Sequence, residues 1–186
     1  MINSLDTVSF RGASVYDEAI AVSAKGVASP TALAMTLPAD KGCYALHLRL
    51  TQPRTLRIGQ LGRFTFPSSE YIYVGSAFGS GGLRSRVGRH LRGDGRWHWH
   101  IDYLRSAADV HGCFYTVTDR PLECEWSQAL AALPNATIPV PHFGSSDCRS
   151  RCRSHLIAFS TDFRLAIVQR ALADVVGRTI DQVFVD

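Results

Sequence analysis

The chain has 186 residues, a formal net charge of +4, 46% hydrophobic and 10% aromatic content. That is enough apolar material for one domain with a real core, and no apolar run approaches the roughly 18 residues a membrane-spanning helix needs. Residues 1–17 lack the basic start and compact apolar run of a secretory signal, and five cysteines are an odd set that argues against a disulfide framework and for the cytoplasm.

In chain order, residues 1–39 mix Ser, Ala, Asp and Gly without steady periodicity and read as a poorly ordered leader with room for one short helix. A main domain over 40–160 follows, then a helical extension over 161–186. Tyr44–Leu50 alternates as a half-buried strand does. Residues 55–59 and 62–66 form an inserted hairpin, and Glu70–Gly75 is the next strand. Leu83–Leu91 and Trp99–Ala107 are helices, His111–Val117 is a strand, and Leu122–Leu133 is a helix closed by Pro134. Residues 139–144 are expected to be extended and rigid. Leu156–Phe159 is a last strand and Phe163–Val176 a C-terminal helix outside the core. Strands and helices in this order make an α+β fold: a small central, mostly antiparallel sheet flanked by helices.

The chemistry concentrates where the strand Tyr71-Ile72-Tyr73-Val74 stops at Gly75 and leads through Gly79, Gly81 and Gly82 into a helix carrying Arg84, Arg86, Arg89 and His90. A phenol at a strand end then faces guanidinium groups across a loop whose backbone can approach a phosphate. Arg92, Arg96 and Arg105 continue a basic stretch that suits a polyanion. Trp97 and Trp99 could stack on unpaired bases or pack inside. The segment His98-Trp99-His100-Ile101-Asp102 offers two neutral imidazoles as general base or relay, or a His-x-His metal pair. Cys148, Cys152 and His155 have the residue types of a zinc site; the simpler reading is a Gly-Ser turn with Cys148 as a small buried residue.

These motifs resemble the GIY-YIG nuclease core. Gly42-Cys43-Tyr44 stands where that superfamily has Gly-Ile-Tyr, Tyr73-Val74-Gly75-Ser76-Ala77 matches its second signature, and Arg86-x-x-Arg89-His90 matches its helix motif. Trp99-His100-Ile101-Asp102, Glu123-Cys124 and Phe143-Gly144-Ser145-Ser146-Asp147-Cys148 further resemble the Uri-type endonuclease branch, so the likeness runs from about 41 to 159. The resemblance implies a GIY-YIG-like fold and metal-dependent hydrolysis of phosphodiester bonds in nucleic acid, DNA before RNA, with no membrane partner. It implies catalytic roles for Tyr44, Tyr73, Arg86 and either His98 or His100. Gap-free alignment from Arg86 favours His98 and the branch motif favours His100. It further implies Mg²⁺ or Mn²⁺ held by Glu123, with Glu125 as the alternative. Arg84, Arg89, His90, Arg92, Arg149 and Arg151 are then expected to contact nucleic acid. The competing expectations are a nucleic-acid-binding module of the same fold with weak or no catalysis, and a zinc-stabilised interaction domain built on Cys148, Cys152 and His155.

Overall fold

The structure is a computed structural model and describes residues 29–160 and 163–184. Its centre is strand β1, Gly42–Leu50, buried along nearly its whole length. The alternation expected for a one-sided strand is therefore filled on both faces. Tyr44, Leu46 and Leu48 point into one core, Cys43 and Ala45 into another. A hairpin of two strands, β2 (Arg54–Ile58) and β3 (Gly62–Phe66), forms its own small antiparallel sheet. Strands β4 (Ser69–Ser76), β5 (Asp109–Val117), β6 (Leu156–Phe159) and β7 (Asp181–Phe184) complete the main sheet in the order β6-β4-β1-β5-β7, every pair antiparallel. The α+β architecture with a small antiparallel sheet, an inserted hairpin and flanking helices is as expected.

Helices α1 (Pro30–Thr36), α2 (Gly82–Arg92) and α3 (His100–Arg105) cover the face that carries Tyr44 and Leu46. Helices α4 (Glu123–Ala131) and α5 (Leu165–Val176) cover the other. On α2 the apolar stripe Leu83, Val87 and Leu91 is set by i, i+4, i+8 spacing, and Gly93 at φ +76° ends the helix.

The short helix for which the leader had room is α1, whose Ala34 is buried with Leu37 against the domain; 1–28 lie outside the described residues. Two expectations change. The C-terminal segment is not an appendage. Val168 and Leu172, four apart on α5, are buried in the core with Trp126 and Leu130 of α4, and β7 pairs with β5. Residues 139–144 turn rather than extend, with His142 at φ +61° and Gly144 at φ +73°. Backbone bonds hold that turn: His142 N–H donates to Arg153 O and His155 N–H to Phe143 O.

Candidate active site

The antiparallel register puts Tyr44 opposite Gly75 and Leu46 opposite Tyr73. Tyr44 crosses over the glycine, because a Cβ on residue 75 would lie 2.5 Å from the Tyr44 hydroxyl. The two phenol rings thus meet with centroids 6.5 Å apart at one end of the sheet. They floor a cleft of about 420 Å³, whose walls include Arg86 and Trp99 on one side and Glu123, Asp147, Cys148, Arg149 and His155 on the other.

The α2–α3 wall carries a buried polar network. Tyr44 Oη is hydrogen-bonded to His90 Nε2 at 3.0 Å, and His90 Nδ1 faces Asp102 Oδ1 at 3.8 Å. Asp102, 2% exposed, takes both Arg89 Nη1 and Nη2 (3.0 and 2.9 Å) and the N–H groups of His98 and Trp99 (2.8 and 2.9 Å). Burial alone would raise its carboxyl, but these donors hold it below the usual range. Burial pushes His90 down to about 3 against the pull of Asp102. Burial raises both the Tyr44 and Tyr73 phenols, and Arg86 opposes the rise in each. The Arg86 guanidinium sits 4.6 Å from the centroid of the Trp99 ring, a cation–π seat that leaves its donors free for an anion.

The opposite wall joins the first turn of α4 to the turn-rich segment 139–155. Of the two acids in that first turn, Glu125 pairs with Arg120 at 3.0 Å in the open, whereas Glu123 lines the cleft. Among the described residues no cation pairs with Glu123 or Asp147. Gly144 approaches Tyr73 so closely that a Cβ would lie 2.8 Å from the ring. Its N–H donates to His100 Nδ1 at 2.9 Å. Burial lowers the His155 imidazole, against Glu123 and Asp147. The Cys124 and Cys152 sulphurs are in contact, Cys148 Sγ lies 3.1 Å from Cys124 Sγ, and with a ring nitrogen of His155 all four donor atoms fall within 4.8 Å of one another.

Tyr44, Tyr73, Arg86, Glu123 and Arg149 therefore share the cleft, while other expected contacts do not. Arg89 does not face outward; its guanidinium is spent on Asp102 and on Arg96 O. His90 is not a surface contact or cap but is 1% exposed beneath Tyr44. Its position three residues after Val87, on the buried stripe, was the sequence signal for this. Neither His98 nor His100 lines the cleft: His98 is exposed and stacks edge-on with Trp99, and His100 anchors the Gly144 turn. The histidine at the cleft is His155. Arg84 donates to Leu37 O and Arg92 pairs with Asp94, both at the surface. Arg151 lines a separate groove with Arg153 and Ser127. Cys148, Cys152 and His155 do come together, and the structure adds Cys124, 24 residues upstream of Cys148, which the sequence marked only as part of the Glu123-Cys124 motif. The odd cysteine count thus did not exclude sulphur pairing.

A family model described as a domain of unknown function, DUF123, matches residues 43–176. The chain belongs to this family. The DUF123 match begins beside Tyr44 and ends with the last residue of α5, so it takes in both walls of the cleft and both helices of the second core. No curated protein and no solved structure gives a significant match. Among the described residues no helix is long and apolar enough to cross a membrane.

Proposed function

We propose that this DUF123 chain is a metal-dependent endonuclease that hydrolyses phosphodiester bonds in DNA, in the manner of the GIY-YIG nucleases its motifs resemble, and that it works in the cytoplasm. The observation that carries this reading is the convergence of Tyr44, Tyr73, Arg86 and Glu123 on one cleft from β1, β4, α2 and α4. Four residues of three types suited to phosphoryl chemistry, far apart in sequence, meet there, and packing in the core accounts for the two tyrosines but not for Arg86 or Glu123.

The donor set fits a hard divalent ion: Glu123 and Asp147 are two carboxylates in one cleft without a cation of their own. Glu123, with Asp147 beside it, would hold Mg²⁺ or Mn²⁺, which supplies neutralisation of charge developing on the phosphate. Arg86, steadied by Trp99, binds the non-bridging oxygens through a planar fork of donors. Tyr44 orients the attacking water. His90 Nε2, kept neutral by burial, holds the Tyr44 phenol in place through their hydrogen bond, and the proton that the water gives up leaves through the solvent of the cleft. The water oxygen forms a bond to phosphorus as the bond to the leaving oxygen breaks. Tyr73, packed at the cleft floor, fixes the position of the phosphate group, and Arg149 holds a flanking phosphate.

A cleavage screen over single strands, flaps, nicked and damaged duplexes and RNA, with Mg²⁺, with Mn²⁺ and with EDTA, tests the reading. Metal-dependent cleavage of at least one DNA structure is expected. Salt-sensitive binding with no cleavage of any substrate would favour a nucleic-acid-binding module instead.

A further inference from the structure

We propose that Cys124, Cys148, Cys152 and His155 form a second, soft-metal site that binds one Zn²⁺ and clasps the 139–155 segment to the start of α4. The inference does not rest on the nuclease reading. Of the five cysteines, Cys43 and Cys113 are buried apart in the two cores, while the other three converge. Their sulphurs and a ring nitrogen of His155 all lie within 4.8 Å of one another. Donors around one zinc ion, at about 2.3 Å for sulphur and 2.0–2.1 Å for nitrogen, sit roughly 3.5–3.8 Å apart, so small side-chain rotations close this set on a single ion. The spacing Cys148-x3-Cys152 is that of a zinc-binding pair.

A disulfide between Cys124 and Cys152 would use two of these groups and leave two without a purpose. Cys148 Sγ would remain 3.1 Å from Cys124 Sγ, and His155, 7% exposed, would keep a buried Nε2 with no hydrogen-bond partner. A tetrahedral ion uses all four. Three thiolates on Zn²⁺ leave one negative charge, which Arg149, Arg151 and Arg153 flank in sequence. Three thiolates and an imidazole prefer zinc to the hard ions suited to Glu123 and Asp147, so the two sites differ in the metal they take.

The need is local. Residues 139–155 form turns with no helix or strand of their own, yet they carry Gly144, Asp147, Arg149 and His155 to the cleft. Zinc bonds supply the rigidity that secondary structure does not, and they fix Glu123, the residue preceding a ligand.

The test is metal content of protein purified under reducing conditions without chelator, paired with cobalt substitution. One zinc per chain, thiolate-to-cobalt charge-transfer absorption, and loss of melting temperature on chelation are expected. Cys148→Ser and His155→Ala should each weaken zinc binding more than about 100-fold, the upper end of what loss of an outer supporting group costs. Glu123→Ala should keep its zinc while losing cleavage, which separates failure of this site from failure of the nuclease reading. Two results would overturn the proposal. One is reduced wild-type protein that takes up neither zinc nor cobalt through thiolate. The other is a Cys124–Cys152 disulfide found by mass spectrometry in protein from reducing expression that binds no metal. Should a variant not fold, protection of three thiols from alkylation by zinc in the wild type decides the same point, and equal alkylation with and without zinc counts against the site.

Discussion

The two walls of the cleft solve the same problem in opposite ways. The α2–α3 wall is tied together from within: Asp102 gathers Arg89 and two backbone N–H groups, and His90 links the network to Tyr44. The charges of Arg89 and Asp102 are paired inside the fold, while Arg86 lines the cleft. The α4 wall carries Glu123, Asp147 and His155 on turns and a helix start, with two carboxylates and a buried nitrogen left without protein partners among the described residues. One wall is a scaffold, and the other is the one we propose receives ions. The contrast predicts that substitutions on the first wall register mainly in stability and those facing the cleft mainly in rate.

Arg86→Ala gives the largest effect on the rate side. Removing an aligned electrostatic group from a transition state costs on the order of 10²–10³ in rate. Single-turnover cleavage should fall by that much with the melting temperature nearly unchanged. Arg86→Lys should recover only part of the loss, because an ammonium lacks the bidentate fork. A melting temperature that collapses in Arg86→Ala would move this residue to the scaffold wall.

Asp102→Ala breaks the scaffold. It leaves Arg89 and two N–H groups without their acceptor, at a cost of about 3 kcal/mol, measurable by urea unfolding. Unfolding free energy within error of the wild type would show that the network adds little.

Acid sharpens the comparison next. His90 titrates near 6.5 when unfolded and near 3 when folded, so between those values the unfolded chain binds more protons and stability falls as pH drops. Asp102, held below its ordinary 3.8, adds a further loss as pH falls beneath that value. Unfolding followed from pH 7 to 3 should slope downward, and His90→Gln should flatten the upper part of that slope.

The smallest effect separates two arginines. Arg149→Ala should lower the log–log salt slope of DNA binding by about 0.7–0.9, one phosphate contact. Arg89→Ala should leave that slope alone and reduce stability instead, since its donors are taken by Asp102 and Arg96 O.

The sheet was legible where residue chemistry is local. Alternation marked β1, a run of aromatic and β-branched residues stopping at Gly75 marked β4, and Pro134 closed the segment after α4. What escaped depends on partners distant in the chain. Asp181–Phe184 is too short to show a period, and pairing with β5 is what makes it a strand. The Val168–Leu172 stripe announced a helix but not the α4 surface that buries it. At the site, the motifs led to Tyr44, Tyr73, Arg86 and Glu123. They misled on Arg89, because the tie to Asp102, 13 residues on, is made by the fold and follows no sequence period. His155 is brought to the cleft, beside Cys124 of α4, by the fold of 139–155, where backbone bonds rather than a sequence period set the path.

The most direct measurement is single-turnover cleavage by Glu123→Ala beside wild type, in Mg²⁺ and in Mn²⁺, on the best DNA substrate found. The account predicts that the variant binds DNA and keeps its fold, but cleaves on the order of 10²–10³ more slowly with either ion. Cleavage by Glu123→Ala at the wild-type rate would contradict it.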